Sequence, residues 1–518
     1  MRFARPIAHM KCKKILHTLL GRLFITCVAL ALQVLWLLYS IYSLGVYSRV
    51  INLLLTLLSF LAVIYIINGR SNPAVKLAWI VPILAFPILG GFLFLISGGK
   101  GPKRKIARAV ARQHSRCVRE LPDRCDHLNE MGDPNLQGQC RYLARQDFPV
   151  YVNTQAEYYS IGEEGYRALL KELQKAEKFI FLEYFIIHPG KMWNSILEIL
   201  TQKAAQGVDV RVMYDDIGSV STLPLRYYKQ LEAAGIQAMA FNPFIPIFST
   251  IMNNRDHRKL LIIDGNVAFT GGVNLSDEYI NEVVRFGHWK DNMVKLTGDG
   301  VWGMTLLFLE QWDAVRGSED DLSRYRPTVS VPSDGYVQPY GDSPLDDEYL
   351  GENVYLNMIN CAKRYVYIMT PYLIVDSEMK TALCLAAKRG VDVRIITPGI
   401  PDKKIVWDLT RSSYPELLAA GIRIYEYTPG FLHSKLCVCD DEAAVAGTIN
   451  FDYRSLYLHF ENACLFVRGA VIAQARDDFL TTQGKSTEIF ADMEKLRKYR
   501  NLLHSVYYAV LRLFAPLL

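Results

Sequence analysis

No pair of cysteines in this sequence has the spacing of a zinc ribbon or a thioredoxin-type redox site, although ten are present, which removes the usual thiolate-metal and dithiol functions. They are scattered through apolar segments and loops, as expected of reduced thiols facing the cytosol. Cys437 and Cys439 alternate along one expected strand and are assigned to packing. Charge is sparse too: 21% of residues carry it, and the net value is a mild +6. That balance suits work beside anionic lipid or phosphate without deciding between lipid and nucleic acid. The sequence also offers no convincing carboxylate cage for a metal ion.

What is abundant is apolar sequence, at 51% of 518 residues, and it is concentrated near the start. Residues 23–44 carry no charge and exceed the roughly 20 residues that cross a bilayer. A second run covers 50–67, and a third, 77–97, is interrupted by Pro82, Pro87, Gly90 and Gly91. Basic residues flank both ends of this region: Arg2, Arg5, Lys11, Lys13, Lys14 and Arg22 before it, and Lys100, Lys103, Arg104, Lys105, Arg108 and Arg112 after it. Both flanks therefore prefer the cytoplasm, which requires an even number of crossings. Three runs conflict with that rule unless one does not cross, and the broken third run is the candidate for a re-entrant or interfacial hairpin.

Beyond residue 150 the sequence repeats. AEKFIFLEYFI (176–186), GVDVRV (207–212) and AAGI (233–236) return as AKRYVYIMTPY (362–372), GVDVRI (390–395) and AAGI (419–422). In each copy an apolar β-rich run leads to a helical pattern, as at 377–389, where Ser377 is placed to cap the start and Gly390 to end it. Strands alternating with helices predict an α/β sandwich in each copy. The Pro-, Gly-, Ser- and Asp-rich stretch near 315–348 is the expected linker.

The two copies carry matching polar motifs. The first reads HRKLLIIDGNVAFTGGVN, with His257, Lys259, Asp264, Gly271 and Asn274; the second reads HSKLCVCDDEAAVAGTIN, with His433, Lys435, Asp440, Gly447 and Asn450. One such match is a weak signal, but two with identical continuations inside a repeat are not chance. On a strand, residues two apart share a face, so each His points with its Lys. If the copies pack about a pseudo-two-fold axis, both pairs meet in one cleft around a single phosphate. Imidazole is nucleophilic when neutral and acidic when protonated, so one His can attack phosphorus while the other protonates the leaving alcohol. Lys and Asn donors would neutralise the equatorial oxygens, and no metal or other cofactor is needed.

The double motif resembles the phospholipase D superfamily over roughly residues 150–490. That resemblance implies a covalent phosphohistidine, with His257, His433, Lys259 and Lys435 catalytic and Asn274 and Asn450 binding phosphate. Asp264 and Asp440 belong to the same catalytic motif, in supporting roles. It also implies a carboxylate behind a catalytic His: Glu461 in HFENACLF for the second copy, and Asp291 in GHWKDN, preferred to Glu282, for the first. A carboxylate raises an imidazole pKa, so Glu461 makes His433 the acid and leaves His257 as nucleophile. His188, His288 and His459 are expected to be hydrogen-bonded structural residues.

The apolar start with LAWIVPILAFPILG, the FLEYFII strand, GHWKDN and the ending RLFAPLL are similar to the cardiolipin synthase family within that superfamily. The resemblance implies an α/β fold: two tandem phospholipase D-like sandwich domains about a pseudo-two-fold axis, preceded by transmembrane helices. Expected boundaries are an anchor over 1–100, a basic connector over 101–149, repeats over 150–325 and 349–494, a linker over 326–348, and a basic amphipathic tail over 495–518. The tail either lies on a membrane surface or packs against the second repeat. Phosphatidylglycerol and anionic membrane lipid are the expected partners, nucleic acid is not, and the oligomeric state is open. The expected location is the plasma membrane, multi-pass, with the catalytic domains in the cytoplasm. Water or another alcohol as acceptor, giving a phospholipase D or a different synthase, and a silent lipid-binding protein are the alternatives.

Overall fold

The computed structural model describes residues 31–35, 46–69, 72–97, 101–243, 253–346, 348–490 and 502–515. The chain separates near residue 103 into two compact units.

In the first unit Val46–Ile67 is one helix (α1) of 22 residues, about 33 Å long against a hydrocarbon core of about 30 Å. Its Val50–Ile67 stretch is the one segment among the described residues long and apolar enough to cross a bilayer. The third apolar run is not a straight helix. Asn72 caps Pro73–Ala85 (α2) by accepting from the Ala74 N–H at 2.9 Å, and the helix ends at Phe86. Pro87–Ser97 (α3) then turns back, bringing the Phe94 ring to 5.6 Å from Trp79; in one straight helix those residues would stand about 22 Å apart. Gly90 permits the close approach, since a Cβ there would lie 2.4 Å from the Pro82 carbonyl oxygen. The run is therefore a hairpin of two short helices. Apart from 31–35, the run at 23–44 and the basic stretch before it lie outside the described residues.

In the second unit the strands of the first repeat are β1 (Thr154–Tyr159), β2 (Phe179–Tyr184), β3 (Asp209–Asp215), β4 (Gln237–Phe241), β5 (Lys259–Ile263), β6 (Val267–Gly271), β7 (His288–Lys290) and β8 (Met293–Gly298). Those of the second are β9 (Gly335–Asp342), β10 (Tyr365–Met369), β11 (Leu373–Ile374), β12 (Asp392–Pro398), β13 (Arg423–Tyr427), β14 (Gly430–Leu432), β15 (Leu436–Cys439), β16 (Ala443–Gly447), β17 (Phe451–Asp452), β18 (Glu461–Arg468) and β19 (Ser486–Ile489). One sheet has the order β1, β8, β6, β5, β2, β3, β4, and the other β19, β13, β12, β10, β15, β16, β18, β9. Replacing each strand by its counterpart converts one order into the other, with β19 added at an edge. The repeat read from short sequence echoes is thus a repeat of topology.

Helices cover both sheets, and their apolar faces explain where they sit. Leu169, Trp193 and Leu200 from Gly162–Leu173 and Lys191–Ala205 pack on one face of β2 and β3. On the other face, side chains of the two repeats share one core: Phe181, Leu260 and Phe308 of the first lie in the same cluster as Leu436, Cys464 and Phe479 of the second. Cys437 and Cys439 are both buried on β15.

Three features refine the sequence expectation. Part of the linker at 326–348 is β9, an edge strand pairing with β18; its Pro339 and glycines disguise it, but an edge tolerates a residue without an N–H. The helix Ser377–Lys388 is capped by Asp376, whose carboxylate accepts from Met379 N–H at 2.9 Å, and not by Ser377. The basic connector is folded: Gly101–Cys117 and Pro134–Arg145 are helices, the second burying Cys140 and Leu143. At the far end, Leu502–Phe514 is a helix whose Arg512 donates to the Ser412 carbonyl at 3.0 Å. It therefore touches the second repeat while Val506 and Val510 stay exposed. The tail's other basic residues, Lys495, Arg497, Lys498 and Arg500, lie outside the described residues.

Candidate active site

Each His-x-Lys motif enters the start of a central strand, and the backbone just before it pairs with the opposite repeat. In the first, Asp256 bridges Phe460, with His257 N–H donating to the Phe460 carbonyl at 2.9 Å. In the second, β14 pairs in parallel with β7, and His433 N–H donates to the Lys290 carbonyl at 2.7 Å. The residue after each of those carbonyls is a carboxylate, Glu461 or Asp291. The pairing therefore delivers each carboxylate to the histidine of the other repeat.

His257 Nδ1 lies 2.9 Å from both oxygens of Glu461, and His433 Nδ1 lies 2.6 Å from Asp291 Oδ2. A carboxylate can only accept, so Nδ1 carries the proton in each ring and Nε2 is left for chemistry. This corrects the expected partners: Glu461 serves His257 and Asp291 serves His433, because the strand contacts that set them run between the repeats and not within them. Glu282, set aside in favour of Asp291, is a surface residue paired with Lys191.

The lysines complete the arrangement. Lys259 Nζ donates to the His257 carbonyl at 2.7 Å, while Lys435 donates to the His433 carbonyl and lies 2.9 Å from His433 Nδ1. All four side chains are buried. Burial pushes His257 down to about 3, with Glu461 opposing the shift and Lys259 adding to it. Burial and then Lys435 push His433 down to about 4 against the pull of Asp291. Burial likewise lowers Lys259 to about 8 and Lys435 to about 7, the second also through the charge of Lys259. Burial works against a Glu461 carboxylate, but the His257 ring outweighs it and holds that group well below the usual range. Near neutral pH the site is thus two neutral imidazoles against a fixed anion.

The remaining motif residues divide. Asn450 has its side-chain oxygen buried without a hydrogen-bond partner. Asn274 accepts from Ile186 N–H at 3.1 Å and donates to the Tyr279 hydroxyl at 2.8 Å. Asp264 and Asp440, grouped with the catalytic motif, lie at the far ends of β5 and β15, and five residues of strand from Lys259 to Asp264 span about 17 Å. Asp264 accepts from the N–H groups of Glu177, Lys178 and Phe179 at 2.7–2.9 Å, and Asp440 from those of Lys363, Arg364 and Tyr365 at 2.6–2.8 Å. Both sit at positive φ, 54° and 57°. They clamp a turn to the neighbouring strand, away from the paired histidines and lysines.

Several contributors were not anticipated. Asn292 and Asn462 follow the two carboxylates and accept from the backbone N–H of Lys435 at 3.2 Å and Lys259 at 3.3 Å. The signal was present as a carboxylate-Asn pair in both copies. Thr448 donates its hydroxyl to Glu461 Oε2, whereas its counterpart Gly272 has no side chain and Asp291 fills that space, 2.0 Å from where a Cβ would stand. Asp215 accepts from Arg255 Nε at 2.9 Å and Asp256 N–H at 3.0 Å, bracing the segment that ends in His257. Of the histidines expected to be structural, His288 lies 3.0 Å from the Tyr427 hydroxyl and His188 is exposed. His459 differs from expectation: neither ring nitrogen has a hydrogen-bond partner.

Residues 169–285 and 355–482 match the family described as Cardiolipin synthase, PLD-like domain, and 57–99 match Phospholipase D-nuclease N-terminal. A cardiolipin synthase of Alkalihalophilus pseudofirmus is 34% identical over 467 residues, covering 89% of this chain and 92% of that one. This chain belongs to the phospholipase D-like cardiolipin synthase family. As a member it is a phosphatidyltransferase. A cardiolipin synthase of Geobacillus kaustophilus is 35% identical over 468 residues, with 89% and 92% covered. A protein of Streptococcus mutans described only as uncharacterized is 45% identical over 463 residues, with 88% and 99% covered. The phosphatidylserine synthase of Haemophilus influenzae superposes with a TM-score of 0.54 at 15% identity, over 72% of this chain and 97% of that one, a likeness of fold.

Proposed function

We propose that this member of the cardiolipin synthase family joins two phosphatidylglycerol molecules into cardiolipin and free glycerol through a covalent phosphohistidine. The observation that carries this reading is the reciprocal pairing of His257 with Glu461 and His433 with Asp291, which supplies two oriented imidazoles for one phosphate. One imidazole Nε2 forms a bond to phosphorus as the bond to the leaving glycerol oxygen breaks, and the other imidazole, which takes up a proton as the anionic phosphate enters the site, donates it to that oxygen. It then takes the proton of the second lipid's hydroxyl, which attacks phosphorus and breaks the P–N bond. Lys259, Lys435 and Asn450 stabilise the equatorial oxygens.

His257 is the nucleophile in this reading. An N-phosphorylated imidazole that keeps its Nδ1 proton is cationic, and Glu461, bonded through both oxygens, neutralises it. His433 has the Lys435 ammonium 2.9 Å from its Nδ1, which disfavours a lasting cation and suits a group that gains and loses a proton. The expected assignment is kept, but on different ground.

The names of the curated relatives support a lipid acceptor over water, and the apolar helix Val46–Ile67 supports work at a membrane. The basic residues at 100–112 support a cytoplasmic site. Purified protein given labelled phosphatidylglycerol should form cardiolipin and glycerol in equal amounts, whereas phosphatidic acid alone would make it a hydrolase. A Cys introduced near Gly335 should resist an impermeant reagent applied to intact cells.

A further inference from the structure

His459 has no role in the chemistry above, yet it is only 9% exposed and both its ring nitrogens lack a hydrogen-bond partner. A buried polar group in that condition calls for an explanation. Its ring centroid is 5.5 Å from that of His257, and its Nδ1 is 3.7 Å from Glu461 Oε1. Pseudo-symmetry does not require an imidazole here. The corresponding residue of the first repeat, two before the carboxylate, is Trp289, which packs 5.5 Å from the His433 ring.

We infer that His257, His459 and Glu461 together bind a divalent transition ion of the zinc class, and that the bound ion inhibits the enzyme. One donor atom from each lies within 4.8 Å of the others. Zinc bonds of about 2.0–2.2 Å set tetrahedral donors about 3.3 Å apart. Glu461 Oε1 lies 2.9 Å from His257 Nδ1 and 3.7 Å from His459 Nδ1, on either side of that value. Two imidazoles and one carboxylate suit zinc and its neighbours, while magnesium and calcium prefer oxygen alone. Thr448 holds the other Glu461 oxygen, as outer partners of metal-binding carboxylates do. The ion takes the place of the His257 Nδ1 proton, which leaves to solvent. Since that proton and Glu461 orient His257 for attack, metal occupancy and turnover exclude each other.

The site's chemistry rests on the two-histidine reading, but the binding measurement does not. Full-length protein in phosphatidylglycerol vesicles, stripped with a chelator, would be titrated with zinc against a chromogenic competitor, with magnesium as control. One zinc per chain should bind, and magnesium should not compete. Losing even an outer partner typically costs about 10- to 100-fold in metal affinity, so H459Q and H459F should each weaken zinc binding by more than tenfold. Both variants should keep phosphatidyl transfer within twofold in chelator and need over tenfold more zinc for inhibition. Unchanged zinc affinity in either folded variant, or zinc bound at one per chain without inhibition, would overturn the inference. If zinc binds as expected but no variant or wild-type protein forms cardiolipin, the failure lies in the substrate reading instead.

Discussion

Glu461 crosses from the second repeat to hold His257 of the first, with both carboxylate oxygens 2.9 Å from Nδ1. Neither repeat therefore contains a complete histidine–carboxylate pair. Each supplies the histidine that the other orients, and the shared core between the sheets keeps them in register.

Replacing either histidine should abolish turnover without unfolding the protein. General acid-base catalysis alone contributes about 10²–10⁴ in rate, and in the proposed mechanism one of the two variants loses that help and the other loses the nucleophile itself. Assays of cardiolipin formation should find both below a hundredth of wild type with melting temperatures near normal. Substantial activity in either would mean the two rings do not serve one phosphate.

The crossed carboxylates lead to a second expectation. E461Q keeps the shape but removes the fixed anion behind His257, and losing the charge behind a catalytic imidazole costs as much as about 10⁴ in kcat. Rapid quenching with labelled phosphatidylglycerol should trap phosphate on His257 in wild type and much less in E461Q. D291N should instead let the phosphohistidine form slowly and persist, because His433 then handles protons poorly. Label on His433 would reverse the two roles.

Gly272 and Thr448 occupy matching positions but are not interchangeable. A Cβ at Gly272 would stand 2.0 Å from Asp291 Oδ1, so G272A should displace Asp291 and lower activity more than tenfold. T448S keeps the hydroxyl that donates to Glu461 and should stay within about twofold of wild type, since replacement by a similar donor leaves no buried acceptor unpaired. Equal losses in the two variants would contradict the packing described.

Much of this site was legible because strand alternation ties His257 to Lys259 and His433 to Lys435, and because the repeat presents the motif twice. The partner of each histidine was not legible. It depends on Asp256 bridging Phe460 and β14 pairing with β7, contacts between segments roughly 140 to 200 residues apart that no local pattern encodes. β9 was hidden for a related reason: Gly335, Pro339 and Gly341 read as linker until an edge position beside β18 makes them acceptable. Asp264 and Asp440 were visible as motif residues, but only their backbone partners reveal a clamp.

That clamp gives a stability prediction distinct from the catalytic ones. Asp264 accepts three backbone N–H groups, and Asn retains one acceptor oxygen and tolerates positive φ. D264N and D440N should lower stability by about 1–3 kcal/mol each, the contribution of hydrogen bonds to a charged acceptor, while the folded fraction keeps kcat within about threefold. A large kcat loss at full stability would return these residues to the chemistry.

The buried lysines make anion binding depend on pH in a direction that can be worked out. Lys435 is held near 7 and Lys259 near 8, both below their ordinary value by burial, so each loses its charge as pH rises from 6 to 9. An anion between them favours the charged forms and must draw protons in with it wherever they are neutral. Binding should therefore weaken as pH rises, by up to about tenfold per unit for each proton taken up. Sulfate suits the measurement because its own charge is constant over that range. Calorimetric titration should find affinity falling steadily above pH 7, with net proton uptake at pH 8 detected by comparing buffers of different ionisation enthalpy. K435M should remove about one proton of that uptake and flatten the decline. Affinity independent of pH between 7 and 9 would mean that the lysines keep their charge when the cleft holds no anion, so that burial does not neutralise them.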